Sequence, residues 1–312
     1  MRDPHLIGRR QALRRLGALA AAAALPACQS RVRPREEKPM TTARMPALFL
    51  PHGGGPWPFV NDPLGPPGTW DRMAAYLKGL GALPRTPPRA ILVISAHWEE
   101  SVATLQSSPR PPMLYDYFDF PPEAYEVQWP APGAPEVVTE VSELLAAAGI
   151  AAGADPKRGF DHGTYVPLKL AYPGAEVPTL QLSLVRGLDP RQHLALGRAL
   201  EPLRERGILL VGSGMSYHNL QGLLVALQGG PAPAGPAAAF DDWLEAAVRR
   251  DADGRDTALV EWERAPHARH CHPREEHLLP LHVIAGAAGE DAASLPYRDE
   301  ILGIRLSAVH FG

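Results

Sequence analysis

Cysteine is almost absent from this chain of 312 residues: only Cys28 and Cys271 occur. They lie in such different contexts that no structural disulfide between them is expected, and the fold must rest on its core. A basic stripe is also missing from the body, and the formal net charge is -3. Phosphate binding needs clustered Lys and Arg, so this balance argues against a nucleic-acid partner and for a neutral or weakly charged small substrate. No internal repeat is visible, and the nearest approach to low complexity is the Ala/Pro/Gly stretch 229–239, which reads as a surface loop. The 29 glycines and 35 prolines are spread between apolar runs, the pattern of a loop-rich globular enzyme. With 45% hydrophobic residues, the length suffices for one large α/β domain.

The first residues differ from the rest. Arg9 and Arg10 stand before an apolar, mostly alanine stretch at 16–25, too short to span a bilayer as a stable anchor. With the small-residue sequence Leu25, Pro26, Ala27, Cys28, they resemble a twin-arginine export signal (1–28) ending in a lipoprotein cleavage box, so that Cys28 would carry lipid and the chain would be periplasmic or membrane-anchored. The other reading is an overlong start with the true Met at Met40 or Met45, and a cytoplasmic protein. Residues 29–44 are polar, charged and Pro-containing, as in a tether, and the folded domain is expected to span 45–312.

Runs at 47–50, 90–95, 179–184 and 208–212 read as buried strands, with 91–94 apolar throughout like a parallel strand covered on both faces. Segments 71–80, 136–148, 190–206 and 237–250 carry apolar residues at helical spacing. Strand alternates with helix. The fold class is therefore α/β, a central parallel or mixed sheet with helices on both faces, with ligands gathering at the carboxyl ends of the strands.

Three of twelve histidines follow closely after apolar runs: His52, His97 and His218. A histidine just past a buried strand sits on rigid scaffold at the functional edge, where imidazoles from separate strands can meet at one ion. A fourth candidate is His277, in the polar opening turn of a helix; the adjacent Glu276 would point about 100° away on a helix, so only one of the two is expected to face a metal. His267, His270, Cys271 and His272 invite a local zinc reading but lack paired cysteines at structural spacing. His162, between Asp161 and Gly163, is a candidate acid or base, with Asp161 orienting its ring or its neighbours. His193, His282 and His310 read as structural or exposed.

Taken in order, several segments resemble the class III extradiol dioxygenase family, in its single-chain branch of 4,5-DOPA dioxygenases. They are residues 46–50 with His52 and Gly53; Ser95, Ala96, His97, Trp98; Trp129 to Gly133; Gly159 to Gly163; Gln181 to Ser183; Ser216 to Asn219; and Glu276 to Leu281. The resemblance covers 45–312. It implies metal ligation at His52, His97, His218 and His277, acid/base roles for His162 and His218, and one divalent ion per chain, Fe(II) for the chemistry or Zn(II) as isolated. Related two-subunit enzymes place a carboxylate in the metal triad and an acid/base at the loop histidine, which leaves Glu276 as an alternative ligand. The implied reaction opens the ring of a small aromatic diol with O2 to a semialdehyde; a zinc-dependent hydrolase or a non-catalytic relative on the same fold are the alternatives. The first loop departs from the branch's His-Gly-Ser-Pro, having His52, Gly53, Gly54, Gly55, Pro56, which keeps the ligand and leaves the substrate open.

Overall fold

A computed structural model describes residues 44–60 and 64–312. The expected signal at 1–28 and, apart from Arg44, the tether at 29–44 lie outside the described residues. From Arg44 onward the chain belongs to one compact unit. Its strands are β1 (Ala47–Pro51), β2 (Ala90–Glu100), β3 (Ala103–Gln106), β4 (Ala152–Asp155), β5 (Thr179–Val185), β6 (Ile208–Gly214), β7 (Ala293–Ile301) and β8 (Ile304–Phe311). Its helices are α1 (Asp71–Gly79), α2 (Pro135–Ala147), α3 (His162–Ala171), α4 (Pro190–Leu200), α5 (Leu220–Leu227), α6 (Ala234–Val248), α7 (Ala252–Val260), α8 (Ala268–Cys271) and α9 (Leu279–Ala288).

The strands form one mixed sheet in the order β4-β3-β5-β2-β6-β1-β8-β7. Its centre, β5-β2-β6-β1, is parallel. Every residue of β1, β5 and β6 is buried; β1 and the first half of β6 are unbroken apolar runs, whereas β5 also buries Thr179, Gln181 and Ser183. Helices cover both faces, and alternation along β6 shows it: Gly212 and Gly214 lie against Pro280 and His277 at the start of α9, while Ser213 between them donates to Gly163 O of α3. A Cβ at Gly214 would collide with His277 O, so only glycine lets that turn seat against the strand.

Several boundaries differ from the sequence reading, each for a local reason. Strand β2 runs on to Glu100 after a register shift between Ile94 and Glu99, so His97 lies within a bulge and not beyond the strand. Residues 234–236, expected as loop, open α6; Pro236 sits in its first turn, where a missing N–H costs no helical bond. Helix α4 stops at Leu200, and a short 3-10 turn with Pro202 follows. Strands β3, β4 and β7 have no apolar run to announce them. Strand β4 is short and half exposed, and β7, with Pro296 inside it, pairs only with β8.

Candidate metal centre

The site is built where β1, β2 and β6 end. His52 follows β1 directly, and its Nδ1 meets Ser213 Oγ at 3.0 Å. The protonation of this ring follows from a proline. Pro167 lies inside α3 and cannot donate to Gly163 O four residues back, so that carbonyl accepts from Ser213 Oγ instead. A serine hydroxyl has one proton, already committed to Gly163 O, so His52 must donate from Nδ1 and its Nε2 carries a lone pair.

His277 is fixed in the same way from the other side. It sits in the turn before α9, where its Nδ1 donates to Glu276 Oε1 at 2.9 Å and leaves Nε2 free. The β2 bulge re-aims His97 so that its Nε2 lies 3.1 Å from His52 Nε2 and 3.3 Å from His277 Nε2. Burial first, and then the neighbouring imidazoles, hold all three rings well below the usual histidine pKa, so they are neutral. Buried nitrogen lone pairs facing one another at hydrogen-bond distance, with at most one ring able to supply a proton, form a donor set suited to a cation. Ligands about 2.0–2.1 Å from one ion stand roughly 3.0–3.4 Å apart at octahedral or tetrahedral angles, which matches these spacings. The donor set fits a divalent metal.

His162 opens α3 and stands beside this set, its ring centroid 4.0 Å from that of His97. Asp116 Oδ1 accepts from both His162 Nδ1 (2.8 Å) and His162 N (2.9 Å), and its Oδ2 is 3.6 Å from His97 Nδ1. Burial alone would raise the Asp116 carboxyl, but these contacts win and bring it to about 2. Asp161 does not touch the His162 ring. It is fully buried, caps α3 through Thr164 N, and accepts from Ser95 Oγ (2.9 Å), Arg158 Nη2 (2.7 Å) and Gln181 Nε2 (3.1 Å), so it orients the backbone around His162. His218 stacks on His277 with ring centroids 3.3 Å apart, and its Nδ1 is 3.0 Å from Glu276 Oε1.

The expected residues therefore gather in one place, in distinct positions. His52, His97 and His277 converge through Nε2; His162 and His218 flank them; Glu276 lies behind His277 and His218 as their shared acceptor. The sequence reading missed Asp116 and Ser213. Asp116 sits in an aromatic loop with no strand or motif beside it, and Ser213 is hidden inside an apolar strand. His267, His270, Cys271 and His272 do not converge: His272 Nε2 donates to Ser216 O at 3.0 Å and Cys271 Sγ reaches Pro236 O. His193, His282 and His310 are buried within α4, α9 and β8, remote from the three-nitrogen set.

A mixed α/β sheet holding a buried imidazole cluster at its carboxyl edge has the donor set of a histidine-ligated metal site. Comparison with known proteins gives the family. Residues 49–305 match the catalytic LigB subunit of aromatic ring-opening dioxygenase. The chain is 36% identical over 277 residues to a dioxygenase, tasH, of Hapsidospora irregularis, spanning 86% of this chain and 85% of that one. It is 42% identical over 207 residues to the 4,5-DOPA dioxygenase extradiol of Beta vulgaris (66% and 75%), and 33% over 258 residues to that of Escherichia coli K12 (82% and 90%). The crystal structure of an uncharacterized protein from Escherichia coli K12 superposes with a TM-score of 0.70 at 32% identity, covering 86% of this chain and 100% of that one. The chain belongs to the LigB family of aromatic ring-opening dioxygenases, within the class III extradiol enzymes that its sequence resembles.

Proposed function

We propose that this protein opens the ring of a small catechol with O2, cleaving the carbon–carbon bond next to the diol to give a semialdehyde. The observation that carries the reading is the convergence of three Nε2 lone pairs from His52, His97 and His277, with hydrogen-bonded histidines at either side. Several relatives bear the name 4,5-DOPA dioxygenase extradiol, which supports a catechol as substrate. Both oxygen atoms stay in the product, so no outside reductant is needed.

His52, His97 and His277 would hold the metal, which when bound supplies open positions for the two diol oxygens and for O2. Neutral imidazoles suit Fe(II), the ion for this chemistry, and also Zn(II). His162, braced by Asp116, takes a hydroxyl proton from the diol through Nε2 and returns it to the leaving oxygen. His218 is the second acid/base: its Nδ1 is tied to Glu276, and it lies outside the three-nitrogen set. Glu276 serves as the acceptor that orients both rings.

Anaerobic loading with Fe(II), followed by oxygen uptake and appearance of a yellow product across a catechol panel, tests the reading. No uptake with any catechol, together with hydrolysis of an ester or amide by the zinc-loaded protein, would sink it in favour of a hydrolase. We also propose that residues 1–28 direct export and that Cys28 is lipidated, on the twin arginine and the residues before Cys28. Mass spectrometry of the membrane fraction should find a chain starting at lipidated Cys28; an unprocessed chain in the cytosol overturns this.

A further inference from the structure

An apolar cleft opens beside the centre. Gly53, Gly54, His218, Leu223, Ile304 and Leu306 are among the residues that line it. Gly53 directly follows His52 and His218 stacks on His277, so the cleft adjoins the three-nitrogen set. Leu220, at the start of α5, also lines it and is 56% exposed. Apolar surface continues outward along that helix to Leu224, which is 55% exposed and one turn on.

Among the described residues the cleft offers a ligand few free polar groups, the Tyr217 hydroxyl and the His218 ring. Trp70 donates to Leu64 O, and both polar atoms of the Asn219 side chain are spent on His270 O and Gly222 N. The Tyr217 hydroxyl is buried and without a hydrogen-bond partner among the described residues. None of the lining residues is a lysine or an arginine. Arg305, between Ile304 and Leu306, points to the opposite face of β8 and meets Asp242 at 3.0 Å. Arg158, which reaches His97 O, and Arg274, beside Glu276, are engaged by Asp161 and Glu99. A carboxylate or an amino-acid group entering this cleft would lose water with no lysine or arginine of the lining to replace it.

We propose that the cleft receives the ring substituent of the substrate, and that this substituent is uncharged and apolar, such as a short alkyl group, in place of an amino-acid side chain or carboxylate. The assignment rests on the ring-cleavage reading. It is tested with 4-methyl-, 4-ethyl-, 4-propyl- and 4-butylcatechol beside DOPA and protocatechuate. Dissociation constants come from tryptophan fluorescence and kcat/KM from oxygen uptake by the Fe(II)-loaded protein. Each added methylene should tighten binding and raise kcat/KM roughly threefold to fourfold. Leu223→Arg, on a surface helix, should flatten that slope and improve protocatechuate about tenfold relative to 4-butylcatechol; the more exposed Leu220→Arg should do so in part. A flat series in the unmodified protein, or DOPA or protocatechuate binding more tightly than 4-butylcatechol, overturns the assignment even where oxygen is consumed. Absence of oxygen uptake with every catechol, while the binding slope stands, overturns the ring-cleavage reading and not the nature of the cleft.

Discussion

At the scale of single residues, the centre depends on second partners that fix which nitrogen each imidazole presents. Ser213 is the sharpest case, because its one proton goes to Gly163 O and its lone pair holds His52 Nδ1. Ser213→Ala should keep the fold, seen by circular dichroism, and weaken metal binding about 10–100-fold in a competition titration. His162→Ala should lower kcat by roughly 10²–10⁴ at unchanged metal content, with Asp116→Asn causing part of the same loss. If either change emptied the metal site, as measured by elemental analysis, the acid/base assignment would fail. Of the two roles the sequence left open for Asp161, the ring of His162 or its neighbours, the second is the one seen: its carboxylate serves the α3 N-terminus, Arg158 and Gln181. The brace on His162 comes instead from Asp116, 46 residues away in the chain.

At the scale of elements, the β2 bulge and the approach of α9 to β6 aim the ligands. The bulge turns His97 toward His52, and the glycine at 214 lets the turn carrying His277 rest on the strand. Gly214→Ala should therefore act twice. It should destabilise the protein by about 1–3 kcal/mol, read as a lower denaturation midpoint, and weaken metal binding by shifting His277. Wild-type metal affinity in a destabilised Gly214→Ala protein would show that the turn and the ligand are not coupled. A second close approach is built into the same layer, where Gly286 of α9 meets Leu194 O of α4 without room for a side chain.

At the scale of the whole molecule, metal binding and folding are linked. A ligand at 100 times its Kd stabilises the native state by about 2.7 kcal/mol, so chelation should lower Tm by several degrees and re-addition of Fe(II) or Zn(II) should restore it. A Tm indifferent to chelator would mean that no ion binds the native state preferentially. Acid acts through histidines outside the centre. Burial holds His272 at about 3 and His282 and His310 at about 4, all below their unfolded value. The unfolded chain thus binds more protons than the folded one from about pH 6.5 downward, and stability present above that pH is lost as it falls toward 4. Calorimetry at pH 5 should find uptake of roughly three protons from these rings on unfolding; a Tm flat from pH 7 to 4 would contradict their burial. The sequence by itself determined the α/β class, the four central strands and the placement of His52, His218 and His277 close after a strand or before a helix. Unbroken apolar runs and breaking glycines or prolines are local signals of burial and direction. Only the tertiary structure decided which nitrogens converge, that His218 flanks the set that His277 joins, and that Asp116 and Ser213 hold the rings. Those choices rest on a bulge, a proline-freed carbonyl and a loop carboxylate, each defined by groups far apart in the chain, and no local pattern encodes distances of that kind.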